Sequence, residues 1–360
     1  MFKLQKKWNI LLIARMTDSV NCLTCFAMSY ILPGDFWLTL FLQGMGDWLT
    51  PIMKFFTWLG YPQAYMILIA IIYWSFDRKL GLRLAIFLTV VAGINSILKQ
   101  ALHAPRPYWL DPDIKAIQVT NGFGMPSGHA QASTVWLYAS SCLKRGWLWA
   151  IAITVVFMIG MSRVYLGVHF TSQVLAGWAI GILVLIFIFR FESKIVTWFL
   201  SQKFINQLIL IFGTSALYLI IGGVFVFILR EWEVPADWIR NSVDDLAGKN
   251  ETILSSIGMA SVAGNTGGFM GVALGALLSH RKGGFDTRAT GWKRLLRCIA
   301  GLVIFLALYG ITMLTTPDQT KEALFSIWRF SGFFAISFST IFLIPLLFMK
   351  MNLLTPLKGS

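Results

Sequence analysis

Long apolar runs recur along nearly the whole of this chain, which has 360 residues. A helix of about 20 predominantly apolar residues crosses a bilayer, and an ordinary soluble domain has no use for many such runs. The composition agrees, because 57% of the residues are hydrophobic and only 13% are charged. The sequence therefore predicts an all-α, polytopic transmembrane helical bundle of about nine spans. The predicted spans are residues 62–76, 82–102, 127–143, 147–161, 170–189, 204–229, 253–279, 295–316 and 324–349.

Basic residues concentrate in alternate connections between the predicted spans. Residues 78–83 and 280–297 hold dense groups of lysine and arginine. Because cytoplasmic loops are enriched in these residues, this side is predicted to be cytoplasmic, and segments 103–126 and 163–169 then lie on the extracytoplasmic side. The net charge of +14 is read as this topological signal. We predict a multi-pass protein of a bacterial inner (plasma) membrane, with no nucleic-acid partner.

Residues 1–58 are predicted to form an N-terminal, interfacial segment. The chain begins basic and then apolar, but polar residues interrupt the run at 15–21, which indicates an interfacial or weakly inserted segment. Residues 35–58 alternate bulky apolar and polar side chains, as an interfacial helix does. Cys22 and Cys25 form a CxxC pair without a second pair or a nearby histidine, so we predict no metal or redox role for them.

A small residue occupies every fourth position of the seventh predicted span, at Gly267, Gly271 and Gly275. This spacing lets helix backbones approach closely and indicates a packing seam. Such a seam serves either inside one bundle or between two copies of a chain, and we favour internal packing.

Three polar clusters lie at the ends of predicted spans, on the same predicted side of the membrane. Together they supply three cations, two imidazoles and a glycine-containing turn that opens a helix, with no metal-ligand spacing. KQALHAPRP contains Lys99 and Arg106, PSGH contains Ser127, Gly128 and His129, and SRVYLGVH contains Arg163 and His169.

This inventory suits a phosphate ester, which carries close to two negative charges at neutral pH. Arginine binds phosphate oxygens in bidentate fashion, lysine adds a point charge, and N–H groups at a helix start attract anions. One histidine can attack phosphorus as the neutral imidazole while the other protonates the leaving oxygen. Because the cations take the place of a metal, we predict phosphoryl transfer without metal or cofactor. His103 is interpreted as a structural or peripheral loop residue, and Asp111 and Asp113 as solvated loop acids.

The three clusters resemble the signature motifs of the type-2 phosphatidic acid phosphatase family, which includes lipid phosphate phosphatases and soluble vanadium haloperoxidases. The resemblance covers about residues 59–189 and implies a phosphatidic acid phosphatase-like helical core over 59–190, which draws in one N-terminal or interfacial helix. A C-terminal membrane extension of four spans would follow over 191–360. The resemblance implies that His169 is the nucleophile that forms a phosphohistidine and that His129 is the general acid. The implied phosphate ligands are Lys99, Arg106, Ser127, Gly128 and Arg163.

One position departs from the family pattern, because Gln173 stands where the family has an aspartate four residues after the nucleophile. If His169 begins a helix, residue 173 lies one turn further on, within reach of the imidazole. The glutamine carbonyl can accept the Nδ1–H and orient the ring, so Gln173 is included among the catalytic residues. An amide can also flip, and it carries no negative charge, so a weakened or non-catalytic protein stays an alternative.

The leading hypothesis is an integral-membrane lipid phosphate phosphatase that acts at the extracytoplasmic face on an amphiphilic phosphate or diphosphate. Its predicted partners are membrane lipids and a lipid phosphate or isoprenyl diphosphate substrate. Phosphatidate, lysophosphatidate, phosphatidylglycerol phosphate and sphingoid-base phosphates all stay open as substrates. The alternatives are a phosphotransferase with the same intermediate and a lipid-phosphate binding or transport protein. The motifs do not indicate an oligomeric state.

Overall fold

The computed structural model describes residues 22–32, 34–120, 122–246 and 257–357, apart from the side chains of 22 and 242–246. Within these residues the chain forms a bundle of helices, and two strands of 2 residues each complete the regular structure. Residues 1–21, for which an interfacial or weakly inserted segment is predicted, lie outside the described residues.

The helices form two groups along the chain. The first group is α1 (Cys22–Met28), α2 (Gly34–Gly44), a 3-10 turn (Asp47–Leu49), α3 (Thr50–Leu59), α4 (Pro62–Ile71) with a π turn (Ile72–Phe76), α5 (Arg78–Leu102), α6 (Pro107–Leu110), α7 (Gly128–Ser133), α8 (Val135–Leu143), α9 (Gly146–Tyr165) and α10 (Thr171–Ser201). The second group is α11 (Phe204–Ile228), a 3-10 turn (Leu229–Glu231), α12 (Ala236–Leu246), α13 (Ala260–Arg281), α14 (Gly291–Leu314), α15 (Glu322–Phe338), a π turn (Ser339–Leu343) and α16 (Ile344–Lys350). The antiparallel strands are β1 (Phe285–Asp286) and β2 (Thr355–Pro356), with Phe285 opposite Pro356.

The polytopic all-α bundle predicted from the apolar runs is confirmed. Among the described residues, 7 helical segments are long and apolar enough to cross a membrane, and a pair bent by 53°, Asp47–Leu59 with Pro62–Phe76, brings the total to 8 if it forms one span. The remaining predicted span, 127–143, is divided at Thr134 into α7 and α8, which have 6 and 9 residues. The difference from about nine spans therefore lies in these two interrupted segments.

Residues 35–58, whose pattern resembles an interfacial helix, do not form one continuous helix, because the chain breaks between α2 and α3. The helix α2 ends at Gly44, and Gly46 has a φ of 104°, a conformation that glycine adopts without steric cost. The chain then turns through the 3-10 segment into α3. Because of this break, α2 and α3 are separate helices that position different side chains of the candidate active site.

Two clusters of buried apolar side chains hold the bundle together. One joins α4 and α5 to the C-terminal helices and includes Tyr73 and Trp74. The other encloses the connection between α9 and α10 and includes Val168 and Phe170, the two neighbours of His169. The connection that carries His169 is therefore packed in place and does not lie loose on the surface.

The glycine stripe of α13 packs against α15 within the bundle, so the prediction of internal packing is confirmed. A Cβ at Gly271 would lie 2.6 Å from the carbonyl oxygen of Phe334, and a Cβ at Gly275 would lie 3.1 Å from the Ile341 side chain. A Cβ at Gly267 would collide with the α15 backbone. The two helices approach this closely because no side chain separates them.

The replacement Gly271→Ala is expected to lower the midpoint of thermal unfolding in detergent by several degrees, because the added methyl group forces α13 and α15 apart. Gly310→Ala is the matched control, since nothing lies within 4 Å of a Cβ at that position and alanine favours a helix over glycine. Equal midpoints for the wild type and Gly271→Ala would contradict the seam.

Candidate active site

The structure brings the three polar clusters together at one end of the helical bundle. Lys99 lies in the last turn of α5, Arg106 immediately precedes α6, and His129 lies in the first turn of α7. Arg163 lies in the last turn of α9, and His169 lies between α9 and α10. The charges of the three cations reach both imidazoles. Five side chains from separate segments thus share one site.

Arg106 is almost completely buried, with 1% of its surface exposed. Its Nη1 donates to the carbonyl oxygen of Val168 at 2.7 Å and lies 3.4 Å from His169 Nε2. Lys99 Nζ donates to the carbonyl oxygen of Phe123, which Arg106 Nη2 also contacts at 3.4 Å. The guanidinium therefore stands directly beside the imidazole nitrogen that a phosphorus atom would meet.

Arg163 is fully buried and contacts neutral side chains from two other segments. Its Nη1 donates to Thr57 Oγ1 and, at 3.3 Å, to Gln118 Oε1, and its Nη2 donates to Thr120 Oγ1 at 3.3 Å. The amide of Gln118 in turn donates to the Tyr61 hydroxyl. Among the described residues, the Nε of Arg163 has no hydrogen-bond partner. A buried N–H without a partner is suited to a phosphate oxygen.

His129 is held by packing and keeps one ring nitrogen free. Its ring packs edge-to-face against Tyr61, with centroids 4.9 Å apart, and a Cβ at Gly60 would lie 2.9 Å from His129 Cδ2. Its Nε2 is buried and has no partner among the described residues. A fixed imidazole with a free nitrogen can exchange a proton with a bound leaving group.

The turn that opens α7 is fixed by Asn95 in the preceding span. Asn95 Nδ2 donates to the carbonyl oxygen of Pro126 at 3.2 Å and to Gln131 Oε1 at 2.7 Å. A Cβ at Gly128 would lie 3.0 Å from Asn95 Oδ1, so the glycine permits this close approach. Ser127 is fully buried as the N-cap of the helix. The turn for which anion binding is predicted thus forms the N-terminus of α7, next to His129.

Three hydrogen bonds fix the orientation of the Gln173 amide. Its Oε1 is 3.2 Å from His169 Nδ1 and accepts from the Phe170 N–H at 3.2 Å, while its Nε2 donates to the Pro105 carbonyl oxygen at 2.7 Å. Because Pro105 O only accepts and Phe170 N only donates, a flipped amide would lose both bonds. His169 must then donate through Nδ1. Its Nε2 is left with the lone pair, which faces Arg106 Nη1 at 3.4 Å.

The surroundings of His169 keep its imidazole neutral. The residue lies between the spans α9 and α10, where burial first, and then the charges of Arg106, Lys99 and Arg163, hold its pKa well below the ordinary value for histidine. The hydrogen bond with Gln173 opposes this lowering of the pKa only in part. A neutral imidazole has the lone pair that nucleophilic attack requires.

The pKa of His169 is expected to rise when phosphate binds, because the dianion offsets the three cations that lower it. In ¹⁵N-histidine-labelled protein, the ring of His169 should stay neutral well below the ordinary histidine pKa of about 6.5 and should titrate at higher pH with saturating inorganic phosphate. The measurement is a pH titration of the ring ¹⁵N shifts, assigned with His169→Asn. A titration near the ordinary pKa that phosphate does not move would contradict this electrostatic picture.

Sequence reasoning missed the neutral partners of Arg163 and the carbonyl of Pro105. It also missed Asn95, which fixes the turn that opens α7, although this residue gave a signal: it is polar and lies one helical turn before Lys99 in an apolar span. The neutral residues Thr57, Gln118 and Thr120 stand out by no spacing or charge.

The loop residues interpreted as structural lie apart from the five charged and imidazole side chains. His103 Nε2 is 2.9 Å from the Leu23 carbonyl oxygen, and its ring packs against Trp232 with centroids 4.9 Å apart. The prediction of a solvated acid holds for Asp113, which is exposed, but is wrong for Asp111, which is 1% exposed. Asp111 is drawn inward as part of its loop, where its Oδ1 accepts from the Asp113 N–H at 2.9 Å. In the part of the chain that the structure describes, no group of 3 or more His, Cys, Asp or Glu residues is placed to hold a metal ion.

Two segments of the chain match known protein families. Residues 80–197, which include every residue of the predicted phosphate site, match the PAP2 superfamily. Residues 263–356 match the family described as PAP2 superfamily phosphatase, transmembrane extension. The first match covers α5 to α10, and the second covers the C-terminal helices.

Curated relatives extend the similarity beyond these segments. Phosphatidylglycerophosphatase B of Bacillus subtilis is 30% identical over 41% of this chain and 77% of its own length. Glucose-6-phosphatase catalytic subunit 1 of Felis catus is 27% identical over 76% of this chain and 82% of its own length. Undecaprenyl-diphosphatase of Sulfolobus acidocaldarius is 26% identical over 39% of this chain and 66% of its own length. All three relatives are named as phosphatases.

Proposed function

This chain belongs to the PAP2 superfamily, and from that premise we propose that it is a membrane-embedded lipid phosphate phosphatase that works through a phosphohistidine on His169. Two of the relatives, the phosphatidylglycerophosphatase and the undecaprenyl-diphosphatase, are named for lipid phosphates, which supports an amphiphilic phosphate or diphosphate as substrate. The multi-pass bundle agrees with a substrate that stays in the bilayer.

The observation that carries this proposal is the arrangement around His169. The Gln173 amide selects the tautomer with its proton on Nδ1, and Nε2 lies 3.4 Å from Arg106 Nη1. The lone pair of Nε2 is therefore available to the groups in the site and lies beside the guanidinium proposed to bind phosphate. Because Gln173 orients the ring through Nδ1, the geometry favours turnover over mere binding.

The proposed reaction has two steps. His169 Nε2 attacks phosphorus, so that an N–P bond forms and the P–O bond to the alcohol breaks, while His129 gives its proton to the leaving oxygen. His129 then takes a proton from water, whose oxygen attacks phosphorus and breaks the N–P bond, and inorganic phosphate leaves. Lys99, Arg106 and Arg163 stabilise the charge on the equatorial oxygens in both steps, the work that a metal ion does in other phosphatases.

We place the site at the extracytoplasmic side of the membrane. Lys99 lies in the last turn of α5, whereas Arg78 and Lys79 begin the same helix at its opposite end. Because α5 and α9 both end at the site, the chain must cross the bundle between them through α7 and α8. With that crossing added to the membrane spans, the basic segment 280–297 lies on the side where α5 begins. The enrichment of lysine and arginine on cytoplasmic sides then directs the phosphate site outward.

His169→Ala is expected to lower phosphate release by more than about 1,000-fold, because the nucleophile is lost. The measurement is inorganic phosphate released from a panel of lipid phosphates in nanodiscs with a chelator present. His280→Ala is the matched control, because His280 is exposed at the end of α13. Unchanged turnover in His169→Ala would reject the nucleophile, and a phosphorylated acceptor in place of free phosphate would assign a phosphotransferase.

Gln173→Leu is expected to lower kcat by about 100-fold or more, since the ring of His169 loses the acceptor that selects its tautomer. The inhibition constant of inorganic phosphate should stay close to the wild-type value, because the three cations are unchanged. Gln207→Leu provides the control: it also replaces a buried helical glutamine, one that donates to the Phe199 carbonyl oxygen away from the phosphate site. Wild-type kcat in Gln173→Leu would show that the tautomer is held by something else.

A further inference from the structure

The connection that carries His169 is held at both ends by α2. This helix lies outside the segment 80–197 that matches the PAP2 superfamily, and the motifs give it no role. Its first turn contacts the start of α10, and its last turn contacts the end of α9. The residues between these two contacts, at Tyr165 and Ser172, are 166–171, with His169 among them.

Asp35 fixes the end of this connection. Its side chain is buried, with 2% of the residue exposed. Its Oδ1 accepts from the Ser172 N–H at 2.9 Å, and its Oδ2 accepts from the Ser172 hydroxyl at 2.6 Å and from the Leu32 N–H at 2.9 Å. The carboxylate therefore caps the N-terminus of α10, where a negative charge is stabilised. Ser172 immediately precedes Gln173, so the cap fixes the turn that holds the catalytic amide.

Gln43 fixes the start of the connection. Its Nε2 donates to the carbonyl oxygen of Tyr165, the last residue of α9, at 3.0 Å. The same nitrogen donates to the Lys115 carbonyl oxygen at 2.8 Å, and Gln43 Oε1 accepts from the Lys115 N–H at 3.1 Å. Tyr165 is held a second time, because its hydroxyl donates to the Gly46 carbonyl oxygen at 3.1 Å.

Phe36 completes the contact from α2. Its ring lies edge-to-face against Phe170, with centroids 4.9 Å apart, and Phe170 directly follows His169. The N–H of Phe170 is also one of the two donors to Gln173 Oε1. Polar contacts at both ends and an aromatic contact in the middle thus leave the His169 connection little freedom to move.

We propose that Asp35 is a positioning residue for phosphoryl transfer: by capping α10 it holds Gln173, and through Gln173 the ring of His169, in the geometry for attack. Gln43 has the same task at the other end of the connection. This inference rests on the proposed function, because it assumes that His169 is the nucleophile. A misplacement of about 1 Å at a reacting group can cost 100-fold in rate, so a cap this close to the nucleophile affects kcat.

The test compares Asp35→Asn with Asp47→Asn, a control in which an exposed acid of the same N-terminal region is replaced. Asp35→Asn is expected to lower kcat by about 10- to 100-fold while the inhibition constant of inorganic phosphate stays within twofold of the wild-type value. In the ring ¹⁵N spectrum, His169 should change from a single Nδ1–H tautomer to a mixture. A purely structural role would lower the yield of folded protein and leave kcat per folded molecule and the tautomer of His169 unchanged.

A milder variant covers the case in which Asp35→Asn does not fold. Ser172→Ala removes only the hydroxyl bond and keeps the N–H bond to Asp35, so it should fold and lower kcat by a few fold with the same unchanged inhibition by phosphate. Wild-type kcat and a single tautomer in the folded variants would overturn the positioning role. His169→Ala, run in parallel, separates the two levels: if it is active the proposed function fails, and if it is inactive while the Asp35 variant is normal, only this inference fails.

Discussion

The hydrogen bonds of Gln173 connect all three polar clusters. Its side chain is bonded to His169 of the third cluster and to the carbonyl of Pro105, which precedes Arg106 of the first. Its main-chain carbonyl accepts from the N–H of Ser127, in the second cluster, at 3.0 Å. A displacement of this one residue would therefore disturb the proposed nucleophile, a proposed phosphate ligand and the turn at Ser127 together. The positions of the proposed catalytic groups depend on the first turn of α10.

A neutral residue at this position has a chemical consequence. A hydrogen bond between neutral groups contributes about 0.5–1.5 kcal/mol, and one to a charged group about 1.5–3 kcal/mol, so an amide holds an imidazole less tightly than a carboxylate does. An amide also leaves the positive charges of Lys99, Arg106 and Arg163 undiminished, which favours a phosphate dianion. When His169 attacks, the transferred phosphoryl group itself brings negative charge to the ring. Compared with an aspartate, Gln173 therefore stabilises an imidazolium less, but it leaves a more positive electrostatic potential for binding the anion.

The charged part of the site was predictable, because three clusters of cations and histidines lie at span ends on the side opposite the basic loops, where the positive-inside preference does not account for them. The partners of Arg163 were not predictable: Thr57 and Thr120 are ordinary neutral residues whose proximity depends on how α3 and the loop after α6 cross the bundle. The role of Pro105 was hidden for another reason, since a carbonyl direction is a property of the folded backbone. The glycine seam of α13 was visible because spacing along one helix is local.

The same distinction explains why Asp35 looked like an ordinary polar residue of an interfacial helix. Its contacts with Ser172 span 137 positions of sequence, and no local pattern encodes a contact of that range. A buried carboxylate is costly unless its oxygens are hydrogen-bonded, and Asp35 meets that condition with main-chain and hydroxyl donors at the start of α10. A chain that only needed an interfacial anchor would gain nothing from this burial. The contact is explained if α2 forms part of the site together with the core over 59–190. The neutral Gln173 can hold His169 in place only when the first turn of α10 is itself fixed, and Asp35 fixes that turn.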